Sequence, residues 1–347
     1  MYPVKSYAAQ SATQPLAPFE FSRRVVQAGD VLIDIHFCGI CHSDIHQVRS
    51  EWGPALYPMV PGHEIVGVVA EVGSKVKAFK PGDKVGVGCM VDSCRECAEC
   101  KQGYEQYCGH PVFTYNAYEK DGKTLAQGGY STRIVVDENF VLRLPANLSM
   151  DAVAPLLCAG ITTYSPLRHW KAGPDKKVGV IGLGGLGHMA VKIAKAMGAE
   201  VSVISRSRNK EADARRLGAA HYFATGEAGT FETMAKMFDL ILCTVSAELD
   251  WNQYLGLLKR DGTMVLLGVP PKVPPVNAMS LIFGRHSLAG SLIGGIRETQ
   301  EMLDFCGKHN IVSDIELIPV QKAQAAYERV IKGDVKFRFV IDMASLK

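Results

Sequence analysis

Read together, two stretches of this chain offer a thiol at Cys41, an imidazole at His63 and a carboxylate at Glu64. The first lies in Cys-Gly-Ile-Cys-His-Ser-Asp-Ile-His at 38–46, the others in Gly62-His63-Glu64. A further soft ligand, Cys158, sits far downstream in Leu-Leu-Cys-Ala-Gly. Two thiolates and an imidazole are one of the ligand sets of catalytic zinc, which keeps a fourth position open for water or substrate. Such ligands meet in space rather than in sequence, so the surrounding motifs must carry the assignment.

Cys94, Cys97, Cys100 and Cys108 form a C-x₂-C-x₂-C-x₇-C run. Cys₄ is a closed tetrahedral set for structural zinc. A disulfide pair or an iron–sulfur cluster is the alternative, but the spacing matches neither ferredoxin pattern. The chain holds ten cysteines, and in a reducing compartment clustered thiols read as metal ligands before disulfides. Cys38, Cys89, Cys243 and Cys306 are expected mainly as small buried hydrophobes. Cys38-x-x-Cys41 could also serve as a redox dithiol, but it lacks a thioredoxin-like context.

Gly182-Leu183-Gly184-Gly185-Leu186-Gly187 reads G-x-G-x-x-G between an expected strand and an expected helix. In that setting one glycine allows the tight turn, another admits a pyrophosphate to the backbone, and the last permits close helix–strand packing. The helix start then offers free N–H groups to phosphate. After the next strand the chain runs Ser205-Arg206-Ser207-Arg208-Asn209-Lys210, with no acid before Glu211. An NAD site carries a carboxylate there for the ribose 2′-OH. Hydroxyls and cations instead suit a 2′-phosphate, so Ser205, Arg206, Ser207 and Lys210 point to NADP. A solvated charged loop is the plain alternative.

The elements that must position these groups follow from pattern. The chain has 347 residues, 47% hydrophobic and 21% charged, with net charge +3. That is a globular protein of about two domains, with no electrostatic case for nucleic acid or membrane partners. No apolar run in the first 20 residues resembles a secretory signal, so a cytoplasmic location is expected. Up to about 158 the sequence consists of short strands and turns, with strands expected over 31–37, 65–72 and 84–87. From about 176 strands alternate with helices, including a helix over 249–258 and a strand over 263–267, the grammar of a doubly wound sheet. A helix–strand–helix–strand tail over 298–343 closes the chain.

Together these residues resemble the zinc-dependent medium-chain alcohol dehydrogenases. Gly62-His63-Glu64-x-x-Gly67, followed by Gly73, is similar to that family's zinc signature. The segments at 38–46, 154–167 and 290–295 carry a narrower resemblance to the cinnamyl alcohol dehydrogenase-type aldehyde reductases. The resemblance implies an α/β protein in two domains. A mostly-β, barrel-like catalytic domain spans 1–159 and 294–347, and a Rossmann coenzyme domain spans 160–293. It implies zinc at Cys41, His63 and Cys158, with Glu64 as an alternative ligand, and a proton relay through Ser43 and His46. Asp44 would orient His63, and Thr162 would contact the nicotinamide. Trp52, Cys89, Phe113, Leu292 and Ile293 would line the substrate pocket. Phe113 departs from the tryptophan usual in plant members, which speaks against a strict preference for lignin precursors. The function so implied is reversible NADP(H)-dependent reduction of aromatic and medium-chain aliphatic aldehydes to primary alcohols, in a homodimer. A zinc polyol dehydrogenase of the same fold and a non-catalytic NADPH sensor are the alternatives.

Overall fold

The computed structural model describes residues 1–346 and opens on an antiparallel pair, β1 (Tyr2–Ala8) and β2 (Ala17–Arg23). The β-branched run after Asp30 becomes β3 (Asp30–Gly39), with Val31 and Ile33 fully buried. Such a run suits a strand covered on both faces. A short helix, α1 (His42–Val48), precedes β4 (Ile65–Val72), β5 (Lys84–Val87) and β6 (Met90–Asp92). A cysteine-bearing lobe follows, containing α2 (Ala98–Gln102) and ending in β7 (Val112–Phe113). Then come β8 (Ala117–Tyr118), β9 (Leu125–Ala126), β10 (Arg133–Asp137), β11 (Leu142–Arg143) and α3 (Met150–Val153).

The grammar changes at α4 (Ala159–His169). Strands β12 (Lys177–Ile181), β13 (Glu200–Ser205) and β14 (His221–Ala224) alternate with α5 (Gly187–Ala196), α6 (Glu211–Leu217) and α7 (Thr230–Thr233). β15 (Phe238–Cys243), α8 (Trp251–Leu255), β16 (Leu258–Leu266), α9 (Ala278–Ile282) and β17 (Ser287–Gly290) complete this part. The tail holds α10 (Ile296–His309), β18 (Ile315–Pro319), α11 (Ala323–Ile331) and β19 (Arg338–Asp342).

The chain divides into two compact units, 1–158 with 294–347, and 159–293. The first is sheet-rich. Its seven-stranded sheet runs β11-β5-β4-β3-β19-β18, with β10 also on β3. The tail enters through β19, which pairs antiparallel with β3 and parallel with β18. The second unit is a six-stranded parallel sheet in the order β14-β13-β12-β15-β16-β17. One of its cores gathers Ile181, Phe238, Ile241, Trp251, Leu258 and Met264.

Two local expectations needed correction. The helix expected over 249–258 is confined to α8, because Phe238 N–H bonds to Leu257 C=O at 3.0 Å and Leu258 already pairs on β15. Sheet pairing outweighed helical spacing there. The strand expected from 263 accordingly starts at Leu258. Among the described residues no helix is long and apolar enough to cross a membrane.

Candidate active site and metal centres

Helix α1 is too short to announce itself by periodicity; its start defines it. Cys41 is the N-cap, and its backbone N–H donates to Asp44 Oδ2 at 2.8 Å, part of a capping box. Asp44 is fully buried and also accepts from the Gly62 N–H at 3.1 Å and from the Tyr130 hydroxyl at 3.4 Å. A buried carboxylate persists only with such donors. His63 Nδ1 lies 3.0 Å from Asp44 Oδ1. The ionised carboxylate can only accept, so the proton sits on Nδ1 and the Nε2 lone pair is left for a metal. Gly62 is required at the bend: its φ is +104°, and a Cβ would lie 2.6 Å from the Tyr130 ring and 2.7 Å from Cys38 Sγ.

Cys158 follows a short 3₁₀ turn over Ala154–Leu157 and arrives 3.9 Å, sulfur to sulfur, from Cys41. Cys41, His63, Glu64 and Cys158 are all buried and each offers a ligand atom within 4.8 Å of the others. A disulfide would bring its sulfurs to about 2.05 Å. A tetrahedral site with Zn–S of about 2.3 Å separates them by about 3.8 Å. Glu64 places one oxygen against Arg338 Nη2, while its Oε2 is buried without a hydrogen-bond partner. An orphaned carboxylate oxygen beside two thiols and a lone-pair nitrogen suits a divalent cation. The set fits catalytic zinc.

The four ligands and Arg338 shift one another's charge, and the bonds to Cys41 and Cys89, with burial, push the Cys158 thiol well up. The bond from Cys158, together with nearby Arg338 and His63, holds Cys41 well below the usual thiol range against the cost of burial. Burial works against a charged His63, yet Asp44 outweighs it and raises its pKa well above the ordinary value. Burial pushes the Glu64 carboxyl up to about 7, with Arg338 pulling against it. Burial also opposes the Arg338 charge, but Glu64 and the two thiols outweigh it and keep the guanidinium ionised.

The other cluster lies in the lobe around α2. Cys94, Cys97, Cys100 and Cys108 offer sulfurs within 4.8 Å of one another. Backbone N–H groups point at those sulfurs, from Cys97 to Cys94 at 3.4 Å, Cys100 to Cys97 at 3.5 Å and His110 to Cys108 at 3.3 Å. Donors aimed at sulfur favour thiolates. The Cys94 thiol is pushed down to about 6, chiefly by the Glu96 and Cys97 amides. The geometry fits a structural zinc.

Ser43 and His46 lie three residues apart on α1 and so share a face. Ser43 Oγ is 3.6 Å from Cys41 Sγ. His46 faces outward: its Nδ1 lies 2.5 Å from Glu51 Oε2, and its ring stacks on Trp52 at 4.7 Å. Cys89 lies just before β6, whose Met90 pairs with Phe113 on β7, and Thr114 N–H bonds to Cys89 C=O at 3.0 Å. Cys89 was expected as a buried hydrophobe and also as a pocket residue. It is only partly covered, and the adjacent Cys158 leads the influences lowering its pKa. Trp52 and Phe113 are exposed.

In the second unit Thr162 is buried on α4, and Leu292 and Ile293 follow β17. The glycine turn links β12 to α5. Gly182 has φ +88°, Gly184 has open space where a Cβ would sit, and a Cβ at Gly187 would come 2.1 Å from Gly182 C=O. Turn, access and close packing are therefore each served by a different glycine, with Gly185 and Leu186 completing the bend. Ser205 ends β13, and Lys210 Nζ donates back to Leu183 C=O at 3.0 Å. Arg208 is taken by Glu227 at 2.6 Å and Glu211 at 2.8 Å. Among the described residues Arg206 has no ion-pair partner and is exposed. Ser207 is held by the Tyr222 hydroxyl on its C=O at 2.6 Å.

Glu51, Tyr130 and Arg338 escaped the sequence reading. Glu51 lies in the turn after α1, five residues from His46, and nothing in its neighbourhood marks it. Arg338 is 274 residues from Glu64, and only β19 beside β3 brings it there.

Residues 27–146 match the family described as "Alcohol dehydrogenase GroES-like domain", and residues 185–308 that described as "Zinc-binding dehydrogenase". NADP-dependent alcohol dehydrogenase C 1 of Mycolicibacterium smegmatis is 61% identical over 349 residues, covering 100% of both chains. A cinnamyl alcohol dehydrogenase of Sorghum bicolor superposes with a TM-score of 0.97 at 45% identity, covering 99% of each chain. The CAD of Helicobacter pylori complexed with NADP(H) gives 0.93 at 48% identity, again over 99% of each.

Proposed function

This chain belongs to the zinc-dependent medium-chain dehydrogenase/reductase family, closely related to its NADP-dependent, cinnamyl alcohol dehydrogenase-type members, and from that premise we propose how its residues work and which aldehydes it takes. It is an NADP(H)-dependent oxidoreductase of aldehydes and alcohols with two zinc-binding clusters. The observation that carries the mechanism is the Cys41–His63–Cys158 set with Asp44 behind His63.

Bound zinc supplies Lewis-acid polarisation of the carbonyl, and the reduced nicotinamide supplies hydride. Cys41, Cys158 and His63 would hold the metal, and Asp44 keeps the His63 tautomer and ring direction. Ser43 donates the proton that the carbonyl oxygen acquires on reduction, His46 replenishes it, and Glu51 holds the imidazole at Nδ1. Thr162 would position the nicotinamide. Ser205, Arg206, Ser207 and Lys210 would receive the 2′-phosphate, with the unpaired Arg206 contributing most.

In the first unit Trp52, Cys89 and Phe113 would offer the aldehyde an apolar wall with few hydrogen-bonding groups; in the second, Leu292 and Ile293 are the proposed substrate residues. Such a wall favours aromatic and medium-chain aliphatic aldehydes over sugars, and it discriminates among them by only about 1–3 kcal/mol per methylene. In a panel assayed with NADPH and NADH side by side, benzaldehyde and hexanal should exceed glyceraldehyde, with about hundredfold preference for NADPH. Arg206→Ala should weaken NADPH about tenfold and spare NADH, the effect shrinking at high salt. Equal kcat/KM for both coenzymes at low salt would reduce the 205–210 loop to a solvated turn.

The assembly we propose is a homodimer through the second unit. β17 is an edge strand, and Val273, Ile282 and Phe283 in the segment leading to it are 89%, 68% and 82% exposed. An unpaired edge beside bare apolar side chains invites pairing with a second copy. Sedimentation velocity should give a dimer; a monomer at micromolar concentration would refute it. Both thiolate clusters need reduced cysteines, which suits a cytoplasmic setting.

A further inference from the structure

The cysteine lobe does more than fold around its own metal. Glu105 lies between Cys100 and Cys108, and its Oε2 accepts the backbone N–H of Ile296, the first residue of α10, at 3.0 Å. Gly295, the N-cap of α10, has no side chain with which to cap, so a carboxylate 191 residues away takes that role. The approach is tight. A Cβ at Gly295 would lie 1.9 Å from Gly103 C=O and 2.5 Å from Glu105 Oε2. Arg297 Nη2 donates to Gln102 C=O at 2.5 Å on the same lobe.

Three residues upstream of Ile296 is Ile293, whose φ is +34°. A β-branched residue in the left-handed region is strained and persists only where its surroundings hold it. The rest of α10 does not depend on the lobe. Gln300 exchanges hydrogen bonds with Arg143 N–H and C=O at 2.8 and 3.1 Å, and Asn147 donates to Gly307 C=O at 2.9 Å. Losing Glu105 would therefore loosen the entry into α10, with Arg297 still tethered to Gln102, and leave the helix docked.

We propose that Glu105 is a positioning residue for the aldehyde: by holding the first amide of α10 it fixes Leu292 and Ile293, tying substrate binding to the Cys₄ lobe. This rests on the reading that those two residues line the substrate pocket. The test uses zinc-loaded full-length enzyme with Glu105→Ala, Glu105→Gln and Leu292→Ala. Two measurements are made on each, hydrogen exchange of the 290–297 amides and steady-state kinetics with benzaldehyde. Glu105→Ala should keep both zinc equivalents, speed exchange about fivefold, the equivalent of a lost helix cap, and raise KM by a similar factor with kcat little changed. Glu105→Gln retains an acceptor and should restore both values. Unchanged exchange in Glu105→Ala overturns the proposal, as does an unchanged KM when Leu292→Ala raises it. If Leu292→Ala leaves KM alone while Glu105→Ala speeds exchange, the pocket reading fails and the lobe's hold on α10 stands.

Discussion

Replacing Cys41 with serine is expected to reduce aldehyde turnover by roughly 10³-fold or more while leaving a folded protein that binds NADPH. Cys41 is one of two soft ligands in the Cys41–His63–Cys158 set, and a serine hydroxyl, protonated at neutral pH, is a poor substitute for a thiolate. Losing the metal forfeits several kcal/mol of carbonyl polarisation, at about 1.4 kcal/mol per tenfold in rate. The proposed coenzyme residues lie in 159–293, a unit of its own, so NADPH affinity by fluorescence titration should stay near wild type. Elemental analysis should fall from two zinc equivalents to one. His46→Ala provides the contrast. Water can partly replace a relay base, so it should keep its zinc and lose about 10²–10⁴-fold in kcat. An active Cys41→Ser enzyme with one zinc equivalent would place the chemistry elsewhere.

Arg338→Ala should be the most destabilising single substitution near the site, by about 3–5 kcal/mol, because it leaves a buried carboxylate without its partner. Arg338 and Glu64 are 5% and 0% exposed, so water cannot take the guanidinium's place. Glu64 Oε2 already lacks a hydrogen-bond partner; without Arg338 its other oxygen would be stranded too. Replacing both residues by apolar side chains of similar volume should cost much less than the single changes predict. Urea unfolding of wild type, Arg338→Ala, Glu64→Leu and the Arg338→Met, Glu64→Leu double variant measures the coupling. Additive effects across that cycle would mean that the pair contributes nothing as a pair.

Much was legible because local chemistry demanded it. The Cys94–Cys108 spacing allows one ion to be met by thiolates close in sequence, and the structure places those sulfurs within 4.8 Å. The glycines at 182, 184 and 187 answer three separate steric needs within a single turn. A short apolar run such as Val178 to Ile181, closed by the glycine turn, reads as a strand buried on both faces, and the structure has it so. These are properties of a few consecutive residues, and the sequence states them directly.

What depended on distant partners had to await the tertiary structure. Cys158 joins Cys41 across 117 residues; its type offered a soft ligand, but no spacing could show which thiol it would meet. Glu51 on His46 and Glu105 on Ile296 are single polar contacts, and no periodicity encodes either. In the 205–210 run Arg206 and not Arg208 was the expected phosphate partner, and the structure supplies a physical reason for that choice. Arg206 and Arg208 look alike in sequence, but Glu227 and Glu211 claim Arg208. Arg338 is the extreme case, since β19 must pair with β3 before its charge can reach Glu64. Residue type and spacing set the chemistry this chain can perform; long-range strand pairing decided which side chains stand beside it, because a contact's energy depends on both partners.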